Sequence, residues 1–235
     1  MKEALVLFSG GKDSFLSTIL TIEENYKVNL VTFENSCGLQ TKNSIIGAKR
    51  IQKKYGIDKV NILGIKKIDA IWRELICDFY NLDTEYITKE YGKITISQWN
   101  CLSCRLAMYI LSIILCKYYN INYVVDGARE SQLFIIEHKE MIKRFTGLFK
   151  RYNININYPL IDEHDDFSIK NQILYRGFVP KMNEHQCLLG MPITENDIND
   201  EIIEGIINVY EKYLYPKVDK IITKYSKIIC NGEYL

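Results

Sequence analysis

This sequence lacks two kinds of segment: a hydrophobic leader peptide and an apolar run long enough to span a membrane. No charged-then-apolar segment precedes Ala4, and we find no apolar segment of the roughly 18 to 20 residues needed to cross a bilayer. We therefore expect a cytoplasmic protein with no membrane partner. No internal repeat or low-complexity linker divides its 235 residues, of which 47% are hydrophobic, so we expect a sizeable core.

The chain also has little net charge. Its formal net charge of +1 gives weak support for broad electrostatic binding to nucleic acid. A local basic cluster of Lys143, Arg144, Lys150 and Arg151 predicts either phosphate contacts or a solvated helix face. The seven cysteines, in a chain without a secretion signal, are more typical of thiols or metal ligands than of disulfides.

Two common nucleotide-binding patterns are absent. No segment has the Walker A spacing G-x-x-x-x-G-K-[ST], and none has the dinucleotide pattern G-x-G-x-x-G. What is present is Ser-Gly-Gly-Lys-Asp-Ser at residues 9–14, between the apolar runs Ala4–Leu7 and Phe15–Leu20. This order predicts a strand, a tight loop and a helix whose first backbone amides point at an anion.

The string Ser-Gly-Gly-Lys-Asp-Ser resembles the PP-loop of the ATP pyrophosphatase superfamily. Enzymes of that superfamily split ATP between the α and β phosphates to adenylate a substrate, so the resemblance implies ATP and Mg²⁺ as cofactors. By it, Lys12 would neutralise the phosphates and Asp13 would help to hold the metal ion. The implied nucleotide-binding residues are Ser9, Gly10, Gly11, Lys12, Asp13, Ser14, Thr32, Phe33, Gly127 and Arg129.

Strands alternate with helices along most of the sequence. This alternation predicts an α/β fold with a doubly wound, mostly parallel five-stranded sheet and a C-terminal helical extension. The PP-loop resemblance implies that the sheet is of the HUP or PP-loop type. We place an ATP-binding and adenylating domain at 1–192, with the cysteine site in it, and the extension at 193–235. Residues 81–100 have no strong period and are interpreted as a flap. The predicted strands are Ala4–Leu7, Val28–Phe33, Val60–Leu63, Asn122–Asp126 and Asn155–Leu160.

Helical spacing follows each of the first strands, and a loop after the fourth strand completes the expected site. In open α/β sheets ligands lie at the carboxyl ends of the strands, so the loop Gly127–Ser131 should lie beside the Ser-Gly-Gly loop. This places Asp126, Gly127, Arg129 and Glu130 near the nucleotide or the substrate. The predicted helices after the loop helix are Ile45–Tyr55, Ile68–Tyr80, Leu102–Tyr119, Glu140–Tyr152, Asp166–Tyr175 and 193–226.

A Cys-x-x-Cys pair, Cys101 and Cys104, opens the predicted helix 102–119, and Cys187 follows 83 residues after Cys104. Thiols in the first turn of a helix point to one side, and the helix N-terminus favours thiolate, so the pair is a candidate metal site, redox pair or cluster ligand set. His185 is a further candidate ligand, in a Cys3His zinc site. For the other cysteines, we predict core positions for Cys77 and Cys116 and an ordinary thiol at Cys230. Cys37 follows the second strand, which leaves a sulfur-carrying or accessory role open for it as the less favoured alternative.

Taken with the PP-loop, these cysteines resemble those of the tRNA 2-thiolation enzymes of the superfamily. In that family three cysteines hold a four-iron, four-sulfur cluster with one open iron site. The resemblance implies that Cys101, Cys104 and Cys187 are cluster ligands and act in catalysis together with Lys12 and Asp13, with zinc as the alternative metal. Those enzymes usually carry a Gly-His-Asn-x-Asp-Asp type sequence after the fourth strand, whereas this chain has Asp126–Ser131, which looks more like the adenylyl-sulfate reductase branch.

The predicted function is an ATP-dependent sulfur transferase that adenylates a tRNA base or a small heterocycle and releases pyrophosphate. Its expected partners are ATP, the acceptor and a sulfur donor, with a homodimer left open. One alternative is an amide- or nitrile-forming ligase of the deazaguanine-synthase type without a cluster, although those enzymes gather four cysteines late in the chain. Another is a non-catalytic nucleotide-binding protein with a structural metal site.

Overall fold

The computed structural model describes residues 1–78, 81–132, 134–181, 186–188 and 199–230. Its main sheet has five parallel strands in the order β4-β2-β1-β5-β6, which confirms the predicted sheet. The strands are β1 Lys2–Leu7, β2 Tyr26–Glu34, β3 Gly38–Leu39, β4 Val60–Lys67, β5 Tyr123–Val125, β6 Asn155–Asn157 and β7 Gln186–Cys187. The helices are α1 Lys12–Glu23, α2 Ser44–Tyr55, α3 Asp69–Ile76, α4 Thr84–Tyr91, α5 Ile96–Tyr119, α6 Lys139–Arg151, α7 Asp166–Tyr175, α8 Asp200–Asn208 and α9 Val218–Cys230.

Alternating side chains of β1 build a hydrophobic core on each face of the sheet. Ala4 and Val6 point into a cluster with α1, α2 and α7, while Leu5 and Leu7 point into a larger cluster with α3, α5, α6, α8 and α9. A strand buried on both faces reads as a continuous apolar run, as Ala4–Leu7 does. The doubly wound architecture expected from the sequence is therefore confirmed.

Helix α5 begins earlier than the sequence predicted. Thr95 and Gln98 form a reciprocal capping box at its start, in which the Thr95 hydroxyl accepts from the Gln98 N–H and the Gln98 side chain accepts from the Thr95 N–H. The segment interpreted as a flap is instead mostly helical, since it contains α4 and the first turn of α5. As a result Cys101 and Cys104 lie beyond that first turn, not at the helix N-terminus.

Helix α5 also corrects the expectation that no segment is long and apolar enough to span a membrane. Its 24 residues meet that requirement by length and composition, and within the described residues it is the one helix that does. However, 78% of its most apolar 18-residue window is buried inside the protein. The length and apolarity of α5 are thus explained by its place between the sheet and the C-terminal helices.

The C-terminal helices complete the larger core. After α8 the chain continues through a π-helical turn at Val209–Leu214 and a 3-10 turn at Tyr215–Lys217, and then enters α9. The helical pattern predicted over 193–226 is thus interrupted at Pro216, where the chain forms this tighter turn. Buried Ile206 and Ile222 belong to the same cluster as α5. The proposed boundary between residues 192 and 193 lies outside the described residues and stays a prediction.

A short antiparallel pair, which sequence patterns did not predict, lies beside the main sheet. Strands β3 and β7 pair Gly38 with Cys187 and Leu39 with Gln186. The Leu188 N–H also donates to the Cys37 carbonyl at 2.9 Å. This pairing joins the segment after β2 to a segment about 150 residues later, and it brings Cys187 to the carboxyl end of the sheet.

Candidate active site

The loop at residues 9–14 has the geometry expected of an anion cradle. Gly10 has φ +84°, a left-handed conformation that glycine adopts without strain. Gly11 is the N-cap of α1, and no side chain caps that helix end. The Ser9 hydroxyl lies 3.1 Å from the Ser14 hydroxyl and accepts from the Gly11 N–H at 3.2 Å. An uncapped helix N-terminus leaves backbone N–H groups for an anionic ligand.

The loop after β5 packs directly on the start of α1, as the sequence predicted. A Cβ atom placed on Gly127 would lie 2.8 Å from the Ser14 nitrogen and 2.9 Å from the Asp13 carbonyl carbon. Real Cβ atoms do not approach backbone atoms this closely, so only glycine fits. The two loops therefore form one wall at the carboxyl end of the central strands.

Two cations and two carboxylates neutralise one another at the start of α1. Lys12 Nζ lies 3.3 Å from both Asp13 Oδ2 and Asp166 Oδ1. Arg129 lies 3.1 Å from Asp13 Oδ1 through Nε and donates to Asp166 Oδ1 at 2.7 Å through Nη2. Gln132 also donates to Asp13 at 2.8 Å. A phosphate entering here would exchange places with carboxylates around Lys12 and Arg129.

The larger cavity, of about 200 Å³, opens beside this loop. Among the predicted nucleotide-binding residues, Gly10, Gly11, Lys12, Thr32 and Arg129 lie outside its lining. Thr32 is instead held by hydrogen bonds from its hydroxyl group, to the Phe8 carbonyl at 2.6 Å and with the Ser44 hydroxyl at 2.8 Å. The cavity is lined by the predicted residues Ser9, Asp13, Ser14, Phe33 and Gly127, together with Leu7, Phe8, Val31, Arg105, Met108, Asp126, Ala128, Gln132 and Glu137.

A buried charged network forms the far side of this cavity. Arg105 donates to Asp126 Oδ2 at 2.6 Å, and its other terminal nitrogen lies 3.5 Å from Glu137 Oε1. The Tyr109 hydroxyl donates to the same Asp126 oxygen at 2.6 Å. Arg105 and Glu137 were missed by sequence reasoning; the only local signal was that Arg105 directly follows the Cys-x-x-Cys pair.

Burial changes the ionisation of this network. Desolvation raises the pKa of Glu137 to about 7, and the neighbouring Asp126 and Asp13 carboxylates act in the same direction. Arg105 lowers that pKa in part, through its positive charge. The carboxylates in turn raise the pKa of Arg105, against the effect of its burial, and keep it charged.

A second cavity, of about 130 Å³, adjoins the first and contains the predicted cysteines. Arg105 and Met108 line both cavities, so they form a shared wall. The arrangement provides one compartment beside the loop at residues 9–14 and a second compartment next to the first. The other residues that line the second cavity are Asn35, Trp72, Asn100, Cys101, Cys104, Ile136 and Cys187.

The three cysteines are brought together but are not prepared as thiolates. Burial raises the pKa of Cys101 to about 11 and that of Cys104 to about 12, and the proximity of Cys187 adds to both shifts. The expectation that a helix N-terminus would favour thiolate is wrong, since both residues lie beyond the first turn of α5. Asn35 donates to Cys104 Sγ at 3.1 Å.

The cysteine geometry does not match a metal site as it stands. Within the described ranges, no group of three or more His, Cys, Asp or Glu side chains could hold a metal ion. His185, the other candidate ligand, lies outside the described residues.

The remaining cysteines divide differently from the prediction. Cys116 is buried in α5 as expected, but Cys77 is exposed and the core assignment for it is wrong. Cys37 lies near Cys187, and burial is the main cause of its raised pKa, with Cys187 contributing. Cys37 therefore lies close to the second cavity, while nothing is described of the Cys230 side chain.

The basic cluster on α6 is partly neutralised. Arg144 pairs with Glu140 at 2.9 Å and with Glu211 at 2.8 Å, and Arg151 pairs with Asp219. Two of the four cations thus have carboxylate partners within the protein. This favours the interpretation of a solvated, structural helix face over a phosphate-binding surface.

Solved structures resemble this chain in fold at low sequence identity, and no curated protein sequence matches it. A 4-thiouridine synthetase solved with RNA and ATP has a TM-score of 0.63 at 11% identity, covering 96% of this chain and 53% of its own. The U34-tRNA thiolase NcsA from Methanococcus maripaludis, solved with its [4Fe-4S] cluster, has a TM-score of 0.52 at 14% identity. The match covers 97% of this chain and 72% of the thiolase. NMN synthetase from Francisella tularensis has a TM-score of 0.50 at 11% identity, and the match covers 100% of this chain and 87% of the synthetase.

These structures share the fold of this chain, which spans about half the length of the 4-thiouridine synthetase. The family match is more specific. The family described as queuosine biosynthesis protein QueC matches residues 3–190, which is well over half of the chain and includes the loop at 9–14, both cavities and all three predicted cysteines. The chain is therefore an ATP-utilising enzyme of the PP-loop pyrophosphatase superfamily, and within it belongs to the QueC family.

Proposed function

We propose that this protein activates a carboxylate on a small heterocycle with ATP and then replaces the resulting adenylate with nitrogen. The reaction is the amide- or nitrile-forming ligation of the deazaguanine-synthase type. The family match supports this choice over the sulfur transferase that the cysteine spacing suggested.

One observation carries the proposal: the two cavities share the wall formed by Arg105 and Met108. A ligase of this kind must hold ATP and an acceptor side by side, with the acceptor oxygen aimed at the α-phosphate. The larger cavity borders the phosphate-binding loop, and the smaller one is a mostly apolar slot with Trp72 and Ile136 in its lining. A flat heterocycle fits the second compartment by its chemistry, while Arg105 offers a cation to its carboxylate.

In this reaction Lys12 and Arg129 would exchange their carboxylate partners Asp13 and Asp166 for the phosphates of ATP. The acceptor carboxylate attacks the α-phosphate and pyrophosphate leaves, with Lys12, Arg129 and the first backbone N–H groups of α1 stabilising the charge that develops on the phosphates. When bound with ATP, Mg²⁺ would supply further charge neutralisation on those oxygens. Ammonia then attacks the activated carbonyl and AMP leaves. Activation by ATP replaces the carboxylate oxygen, a poor leaving group, with AMP, a good one.

Pyrophosphate release with a carboxylated deazaguanine, ammonium and Mg-ATP tests the proposal. Release should depend on the acceptor, and Lys12→Ala should lower kcat by about 10²-fold, as expected for loss of one charge-stabilising group. Lys49→Ala is the control, because Lys49 is an exposed residue of α2 outside both cavities and should leave the rate unchanged. Acceptor-independent release, or no release from the wild type, would contradict the proposed ligation.

The convergence of cysteines favours a second candidate, a sulfur transferase acting on tRNA or on a small heterocycle. Cys101, Cys104 and Cys187 line one cavity and Cys37 lies nearby. In this candidate the three lining cysteines would hold an iron-sulfur cluster, or zinc, after local rearrangement. The candidate needs a sulfur donor in addition to ATP, and it leaves a homodimer open.

Iron, zinc and acid-labile sulfide measured on anaerobically purified protein separate the two candidates. The ligase, with zinc or no metal at the cysteines, predicts no labile sulfide in the wild type or in Cys101→Ala, Cys104→Ala and Cys187→Ala. Cys77→Ala is the control, since Cys77 is exposed and outside both cavities. Labile sulfide that is lost in all three variants and kept in the control would establish the sulfur transferase instead.

A further inference from the structure

One buried carboxylate in the larger cavity has no part in the activation of the acceptor by ATP. Glu137 ends a 3-10 turn at Ile135–Glu137, directly before α6, and its exposure is only 6%. Its Oε1 atom lies 3.5 Å from Arg105, whereas its Oε2 atom has no hydrogen-bond partner among the described residues. A buried hydrogen-bond acceptor atom without a donor is costly in free energy, and such atoms are rare unless a ligand donates a hydrogen bond to them.

The charge balance shows that Glu137 is not needed to neutralise its neighbours. Arg105 is already paired with Asp126 at 2.6 Å, and the Tyr109 hydroxyl satisfies the same carboxylate. Glu137 therefore adds negative charge to a network that is neutral without it. A carboxylate kept in a cavity at this cost is a candidate for proton transfer.

We propose that Glu137 is the general base that accepts a proton from the nitrogen nucleophile as AMP is displaced. This inference rests on the proposed ligation. In the step, a bond forms between the nitrogen and the acyl carbon, and the bond from that carbon to the AMP oxygen breaks with its electron pair leaving on AMP. The proton released from the nitrogen moves to the unpartnered Oε2 atom.

The position of Glu137 fits the place where the nucleophile must arrive. Glu137 lines the larger cavity and contacts Arg105, which belongs to the wall shared with the second cavity. The acyl carbon of an adenylate would lie at this boundary, between the two compartments. A carboxyl group here would be within reach of a nitrogen that attacks from the side of the larger cavity.

The groups around Glu137 bring its pKa close to neutral pH. Burial, Asp126 and Asp13 raise its pKa to about 7, while the charge of Arg105 and the backbone N–H of Arg129 act in the opposite direction. A base is most effective when its pKa lies near the working pH. Glu137 is therefore partly ionised near neutrality and can both accept and release a proton in each turnover.

Glu137→Gln keeps the shape of the side chain and removes the basic oxygen. ATP–pyrophosphate exchange with the carboxylated deazaguanine reports the first step, which transfers no proton to Glu137, and should stay within about 3-fold of the wild type. Amide formation, measured at a constant concentration of free ammonia, should fall by about 10²-fold or more. The wild-type rate should rise with pH through about 7, and this rise should be lost in the variant.

Glu140→Gln is the matched control, because Glu140 lies three residues later on α6, pairs with Arg144 and lies outside both cavities. It should keep both the rate and the pH profile. Glu137→Asp, which retains a carboxylate, should restore the rise of the rate with pH even if the rate is low.

Three results would overturn the inference, and each differs from failure of the proposed function. If Glu137→Gln keeps the wild-type pH profile of amide formation, Glu137 is not the base. If exchange and amide formation fall together, Glu137 positions Arg105 or the nucleotide and does not transfer the proton. If Glu137→Asp fails to restore the pH dependence, the carboxylate is not its source. Absence of exchange in the wild type would instead overturn the proposed ligation and the inference with it.

Discussion

Arg105 is the residue that connects the two halves of the site. Its side chain is partly buried, contacts Asp126 and Glu137, and lines both cavities. A planar guanidinium can hold two carboxylates at fixed angles, which a lysine ammonium cannot do.

Glu137 should make stability depend on pH in a specific direction. Its folded-state pKa of about 7 lies above the ordinary value of 4.5, so the folded protein favours the protonated form. The stability contribution is therefore present at low pH and is lost as pH rises through about 7. We expect Glu137→Gln to raise the free energy of unfolding at pH 8 by about 2 kcal/mol relative to the wild type, and by little near pH 5.

Thermal unfolding at both pH values checks this prediction, with Glu140→Gln as the control. The hydrogen bond from Arg144 lowers the pKa of Glu140, so that variant should be equal to the wild type or less stable at pH 8. If Glu137→Gln is destabilised at pH 8 as well, the carboxylate is held by attractive contacts and the predicted direction is wrong.

At the scale of elements, the contact between the β5 loop and α1 determines the shape of the phosphate site. Gly127 permits this contact because it has no Cβ atom. A Cβ at this position would lie 2.8 Å from the Ser14 nitrogen, a backbone atom that cannot move alone. Separation of the two loops would displace Asp13 and Ser14, which line the larger cavity. The first turn of α1 is thus held in place by its neighbour and not by a capping side chain.

Gly127→Ala should therefore weaken both folding and ATP binding. We expect a loss of about 1 to 3 kcal/mol in the free energy of unfolding, as for overpacking, and a rise in the Kd for Mg-ATP. Gly147→Ala is the matched control, because a Cβ there meets no atom within 4 Å and alanine is favoured inside a helix. Equal stability and affinity for the two variants would show that the loops can separate without cost.

Helix α5 shows how element boundaries affect chemical interpretation. Placing its start at the Cys-x-x-Cys pair implied thiolates stabilised by a helix N-terminus, whereas the capping box at Thr95 places that N-terminus a turn and a half earlier. The thiols instead lie among buried side chains, which raise their pKa. The Thr95–Gln98 spacing was present in the sequence and could have located the helix start.

At the scale of the whole molecule, the site depends on elements that are distant in sequence. The carboxyl ends of β1 and β5 are adjacent in the sheet although they are more than a hundred residues apart. Strands β3 and β7 add Cys187 to the same end. The C-terminal helices cover the outer side of α5, so the helix that carries Arg105 and two cysteines is fixed from both sides.

The sequence alone determined the strand, loop and helix around residues 9–14, the five parallel strands and most helices. These follow from local chemistry: a Gly-Gly turn, apolar runs, and periods of two or 3.6 residues. Residues 166–175 and 44–55 match their predicted helices within one residue. Only the tertiary structure decided which side chains meet. It placed Arg105 against Glu137 and brought Cys101, Cys104 and Cys187 to one cavity. Proximity and dielectric environment depend on strand order and packing, which no local pattern encodes.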